Sequence, residues 1–166
     1  MYQASPQLEN AIVLKAPPYT TQGPICQNWR ELQDWHFSAG LPYATQAHNP
    51  EPIAVHTLGT GPEHNIFSCK HVHYAFRAWH DYLHLVLGQD FGKAGELAVC
   101  KEHVRSLRRS GVPAIDRRAV WAFTSGEVAH YWAHGNFIDY KREFVTHWLL
   151  HGASATLAKN WGYGYE

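Results

Sequence analysis

The stretch from Phe76 to His103, FRAWHDYLHLVLGQDFGKAGELAVCKEH, constrains what this chain can fold into more than any other. Its apolar residues recur at three- and four-residue spacing, the period of helices with one face in a core. Gly88 and Gly95 bracket a short break, so the two helices it joins are expected to fold back on each other as an antiparallel hairpin. Side chains that bind metals ride on the same period. His80 and His84 lie about 40° apart on one helix. Glu96 and His103, seven residues apart, share a face of the next to within about 20°. The hairpin turns those faces toward each other. Imidazoles and a carboxylate on rigid elements are what a metal ion needs, with Asp81 beside them as an orienting group.

The rest of the chain is read outward from that hairpin. Val72, Phe76, Trp79, Leu83 and Val86 form an apolar stripe over 69–88, with Gly88 as its C-cap. The helix over 94–109 ends in Arg105, Arg108 and Arg109, which complement its dipole. Ser110 to Pro113 breaks the chain, and Asp116 is expected to cap a helix over 117–134. Glu127, His130 and His134 fall within about 60° of one face there. A further helix is expected over 137–151, carrying His147 and His151. Upstream, Trp29, Leu32, Trp35 and His36 mark a helix over 27–38, stopped by Gly40 and Pro42. AIVLKAP (11–17) reads as a short strand or a helical turn, closed by Pro17 and Pro18.

Residues 40–68 hold Pro42, Pro50, Pro52 and Pro62, with PIAVHTL as the one plausible strand. His48, His56 and His64 in that connection follow no period and read as surface or loop-capping residues. The expected architecture is thus mostly α: a compact bundle of four to five helices in a single domain, 1–166. Residues 1–68 form a loop-rich wrapping segment, 69–151 the helical core, and 152–166 an irregular aromatic tail.

Composition excludes several classes. Hydrophobic residues at 45% and charged ones at 17% indicate a globular chain rather than a disordered one. Fourteen basic and fourteen acidic side chains cancel, which leaves no electrostatic footprint for nucleic acid or an anionic membrane. No run approaches a membrane span, and the first residues lack a basic region followed by an apolar one. Cys26, Cys69 and Cys100 form no CxxC pair, so reduced thiols and a cytoplasmic setting are expected. Thirteen histidines are the outlier. With seven tryptophans, the aromatic content suits an interaction surface, for a second copy or another partner.

Jointly, the sets on three consecutive helices imply a bound divalent ion, iron or zinc, because the donors are nitrogen and oxygen without thiolate. Cys100, on the Glu96/His103 face, reads as a small buried hydrophobe. The expected ligands are His80, His84 and Glu127, with Glu96, His103 or His130 completing a mono- or dinuclear site. Glu96, in the first turn of its helix, is the candidate acid/base, and Asp81 the outer carboxylate that accepts an N–H from a ligating histidine. No substrate follows from these residues beyond a small molecule.

Phe76, Arg77, His80, Asp81, His84, Phe91, Gly95, Glu96, His103 and Glu127 also carry a resemblance. The chain resembles, over about 42–132, an uncharacterised domain of phage and mobile-element proteins with the run FRAVHDxxGH, then GFxxxGE, a His and an ETRGQ-type helix. It departs in spacing its histidines by four rather than five, and in TSGEVAHYW where that helix stands. The resemblance implies a phage origin, in host cytoplasm or virion, and a residue set, but no reaction. The order His80, His84, Glu127 in WAFTSGEV is similar in site design to aromatic amino acid hydroxylases. Two alternatives stand beside a metal enzyme. One is an HD-type phosphohydrolase using His80, Asp81, His56 or His64, and Asp139. The other is a non-catalytic phage accessory or virion protein with a structural metal.

Overall fold

The computed structural model describes residues 1–22, 26, 28–38, 52–55 and 65–162. Among these residues six helices carry the fold: α1 (Pro6–Lys15), α2 (Trp29–Ser38), α3 (Lys70–Leu87), α4 (Lys93–Arg109), α5 (Ala114–His134) and α6 (Lys141–Leu157). Two short strands, β1 (Tyr19–Thr20) and β2 (Ile53–Ala54), pair in parallel, Tyr19 against Ile53 and Thr20 against Ala54. The mostly helical class expected from the sequence holds. Among the described residues no helix is long and apolar enough to cross a membrane.

The amphipathic stripes explain the packing order. α3 packs on α4, α4 on α5 and α5 on α6, so consecutive helices are neighbours, while α1 closes over α3. Phe67, Phe76 and Phe123 meet at the centre with ring centroids 5.4–5.5 Å apart. Leu8, Ile12, Val99, Leu107, Val120 and Phe144 fill the same core. Val86, at the end of the expected stripe, is exposed.

Three expectations are corrected. AIVLKAP lies mostly within helix α1, and its start is conventional. Ser5 is the N-cap and accepts from the Leu8 N–H at 3.1 Å, with Pro6 in the first turn. The N-terminal third therefore contributes Leu8 and Ile12 to the core rather than only wrapping it. Asp116 does not cap α5, which begins at Ala114 with Pro113 in the cap position. Its buried carboxylate instead accepts the Tyr2 hydroxyl at 2.6 Å and the Ser5 hydroxyl at 2.5 Å, tying α1 to α5. α6 runs past 151, because Gly152 takes a left-handed φ of 83° and lets a further helical turn follow the break. The start of the tail is ordered too: Ile138 bridges Gly162, and Trp161 packs edge-on to Phe144.

Candidate metal centre

The α3–α4 connection builds the centre from both sides. Gly88 adopts the left-handed conformation (φ 60°) that ends α3, and the next N–H, of Gln89, bonds back to the His84 carbonyl at 2.9 Å. The Gln89 carbonyl in turn receives Nδ1–H of His84 at 2.9 Å. One residue on, Asp90 Oδ1 accepts the Gly92 N–H at 3.0 Å as α4 begins. Gly95 then passes so close to the Asp90 carbonyl that a Cβ there would stand 2.0 Å from its oxygen. Only glycine fits, and the next residue, Glu96, is thereby held in the first turn of α4, facing α3.

Three side chains converge. His80 Nε2 and His84 Nε2 stand 3.1 Å apart. Glu96 Oε2 lies 3.2 Å from His80 Nε2, and Glu96 Oε1 lies 3.5 Å from His84 Nε2. One donor atom from each falls within 4.8 Å of the others, and this is the one group among the described residues with that property. The set can hold a metal ion. His84 is fully buried, whereas His80 and Glu96 each keep 22% of their side chains exposed, so the group opens to solvent on their side.

Electrostatics follow from the same contacts. Burial works against charge on His80, but the hydrogen bond and charge of Glu96, with Asp81 and Glu127 beyond, raise its pKa above the usual imidazole value. Burial alone would push the Glu96 carboxyl up; the bonds and charges of His80 and His84 bring it down to about 2. His80 Nε2 and the Glu96 carboxylate, 3.2 Å apart, thus stabilise each other's charged forms.

The expected ligands separate in space. His80 and His84 are in the trio. Glu96, expected as a completing ligand or as the acid/base, stands in it as a donor. His103 lies behind His80, with its Nε2 on His80 Nδ1 at 3.2 Å rather than on the converging atoms. Its ring stacks on Phe76 and meets the edge of Trp79. Burial, followed by the charges of His80 and His84, holds its pKa well below the usual value. Glu127 is near enough to act on His80, but its carboxylate pairs with Lys141 Nζ at 2.6 Å. His130 has both ring nitrogens occupied: Nδ1 bonds the Asn136 carbonyl at 3.1 Å and Nε2 accepts the Trp161 N–H at 2.9 Å. Neither Glu127 nor His130 joins the group. Asp81 orients neither imidazole, since the Nδ1 atoms of His84 and His80 meet Gln89 and His103. Its carboxyl is pushed up by burial, against the charges of His80 and His84.

Cys100 is buried, and desolvation lifts its thiol to about 12 despite the opposing influence of the Thr124 hydroxyl, so it remains a neutral packing residue. Two roles escaped sequence reasoning. The Gln89 carbonyl is a backbone group with no signature. Phe91 sets its ring edge-on to His84 at 4.7 Å and meets Trp29 of α2 on its other side. His48, His56 and His64 lie outside the described residues. No family model matches the chain, and no curated protein or solved structure matches it either.

Proposed function

We propose that this chain is a metal-binding protein whose His80, His84 and Glu96 hold one divalent iron or zinc ion at a three-donor centre of the catalytic type. The observation that carries this reading is the convergence of the three donor atoms while the opposite nitrogen of each histidine is engaged elsewhere. Two imidazoles and one carboxylate without thiolate suit iron or zinc. Three protein donors leave at least one coordination position open, and the partly exposed His80/Glu96 side gives a small molecule access to it. When bound, such an ion supplies Lewis acidity or, for iron, redox chemistry. The chain's own part is to fix both imidazoles and the carboxylate. Lys141 keeps the neighbouring Glu127 neutralised.

The test is elemental analysis of protein purified without chelator, before and after adding ferrous iron or zinc. About one equivalent is expected; less than about a tenth, with no rise on addition, would falsify the reading. A phosphohydrolase reading gains nothing from the geometry, because Asp81 stands outside the trio. The accessory-protein reading is favoured by one observation: Tyr131, Trp132, Phe137 and Tyr140 leave an aromatic surface exposed where α5 passes into α6. A fourth protein donor in the metal-loaded protein would favour it over a catalytic centre.

A further inference from the structure

We infer that His103 is a positioning residue for this centre: by accepting Nδ1–H of His80, it keeps the His80 Nε2 lone pair turned toward His84 and Glu96. The inference rests on the metal reading and goes beyond it by naming the group that prepares a ligand. The tautomers follow one from another. A carbonyl only accepts, so His84 carries its proton on Nδ1 toward Gln89, and its Nε2 is a lone pair. Glu96 presents only acceptors. A cation held by His84 and Glu96 also needs a lone pair on His80 Nε2, which places the His80 proton on Nδ1, 3.2 Å from His103 Nε2. His103 must then be the acceptor at Nε2, with its own proton on Nδ1.

That proton has no partner among the described residues, and His103 is fully buried. A buried, unpaired N–H is a standing cost that a phenylalanine in the same slot, between Phe76 and Trp79, would not incur. Packing alone therefore does not account for a histidine here; the bond to His80 does. The reverse arrangement, with His103 donating from Nε2 to His80 Nδ1, would place the His80 proton on Nε2 and block the centre.

The experiment uses the full chain, zinc as the probe and three readouts. Competition with a chromophoric chelator should show His103→Phe weakening zinc binding by roughly 10–100-fold, the usual effect of removing an outer partner of a ligating histidine. His103→Gln, whose Oε1 can accept the same N–H, should recover much of that loss. Long-range ¹H–¹⁵N spectra of zinc-loaded parent protein should show His80 protonated at Nδ1 and bound through Nε2. Equal zinc affinity in parent and His103→Phe, or coordination through His80 Nδ1, overturns the positioning role while leaving the centre intact. Should His103→Phe fail to fold, the parent spectrum and His103→Gln decide the question. A parent that takes up no zinc overturns the metal reading and this inference together.

Discussion

Three histidine pairs stand four residues apart on helices of this chain, and their rings are almost equally close. Centroids lie 4.8 Å apart for His80/His84, 4.6 Å for His130/His134 and 4.5 Å for His147/His151. What the nitrogens meet is different. In α3 both Nε2 atoms turn to one point shared with Glu96. On α5 and α6, His130 bonds the Asn136 carbonyl and the Trp161 N–H, while His147 bonds the Thr156 hydroxyl at 2.8 Å and Lys159 Nζ at 3.1 Å. Those nitrogens staple the tail to α5 and α6. Helical spacing decides that two imidazoles meet; the backbone around them decides whether they are ligands or staples.

The largest effect separates ligands from staples directly. His84→Ala removes a fully buried donor and should cost zinc affinity more than the roughly 10–100-fold expected from losing an outer partner. Glu96→Gln should weaken binding as well, because the carboxylate stands among the donors rather than beside them. His130→Ala should leave zinc affinity unchanged and instead lower stability by about 1–3 kcal/mol, the cost of stranding the Asn136 and Trp161 groups it satisfies. Zinc titration and urea denaturation of the same three variants check this. Metal loss in His130→Ala with none in His84→Ala would reverse the assignment of the two pairs.

How far the sequence reached follows the same division. Helices α2 to α5 were legible because their apolar residues keep period, and His80, His84 and Glu96 were legible as facing positions of a hairpin. Helix α1 was not, since its stripe is weak and its anchors are distant: Asp116 for Tyr2 and Ser5, and Ser68, whose N–H and hydroxyl both bond Glu9 at 2.6 Å. The same reason hid the fate of Glu127 and His130. Angular position on α5 says which way a side chain leaves the helix, but Lys141, Asn136 and Trp161 arrive from a different element. Sequence period carries no information about such partners. Glu127 was thus placed among the principal ligands, where the observed grouping has Glu96.

A smaller effect sharpens the role of the α3–α4 connection. Gly95→Ala places a Cβ into the Asp90 carbonyl, a backbone atom that cannot swing aside. The first turn of α4 must shift, at about 1–3 kcal/mol for overpacking. Glu96 moves with it, so zinc affinity should fall even though no donor has been changed. Ala98→Gly, in the same helix, controls for the general cost of altering α4. A Gly95→Ala variant that binds zinc like the parent would show that Glu96 is not held by this turn.

The smallest effect comes from a histidine that is neither ligand nor staple for the tail. His73 is buried beside Phe67 and Phe123, and accepts Nε–H of Arg77 at 3.1 Å. Burial first, then the charges of Arg77 and Lys141, lowers its pKa from 6.5 to about 3. The sign follows from proton uptake. In the unfolded chain His73 takes up a proton near pH 6.5, while in the folded chain it remains neutral until about pH 3. Its contribution to stability is therefore complete above pH 6.5 and is lost as pH falls toward 3. Between pH 7 and pH 6 the loss amounts to about 0.7 kcal/mol for this one group. His73→Phe, which keeps an aromatic ring between Phe67 and Phe123, removes that uptake. Urea denaturation at pH 7.0 and 6.0 should give parent and variant stabilities that differ in slope by about that amount, the parent being the steeper. Parallel slopes would mean that His73 takes up a proton as readily in the folded protein as in the unfolded chain, and the contrast between this buried neutral histidine and the converging nitrogens of His80 and His84 would fail at its simplest member.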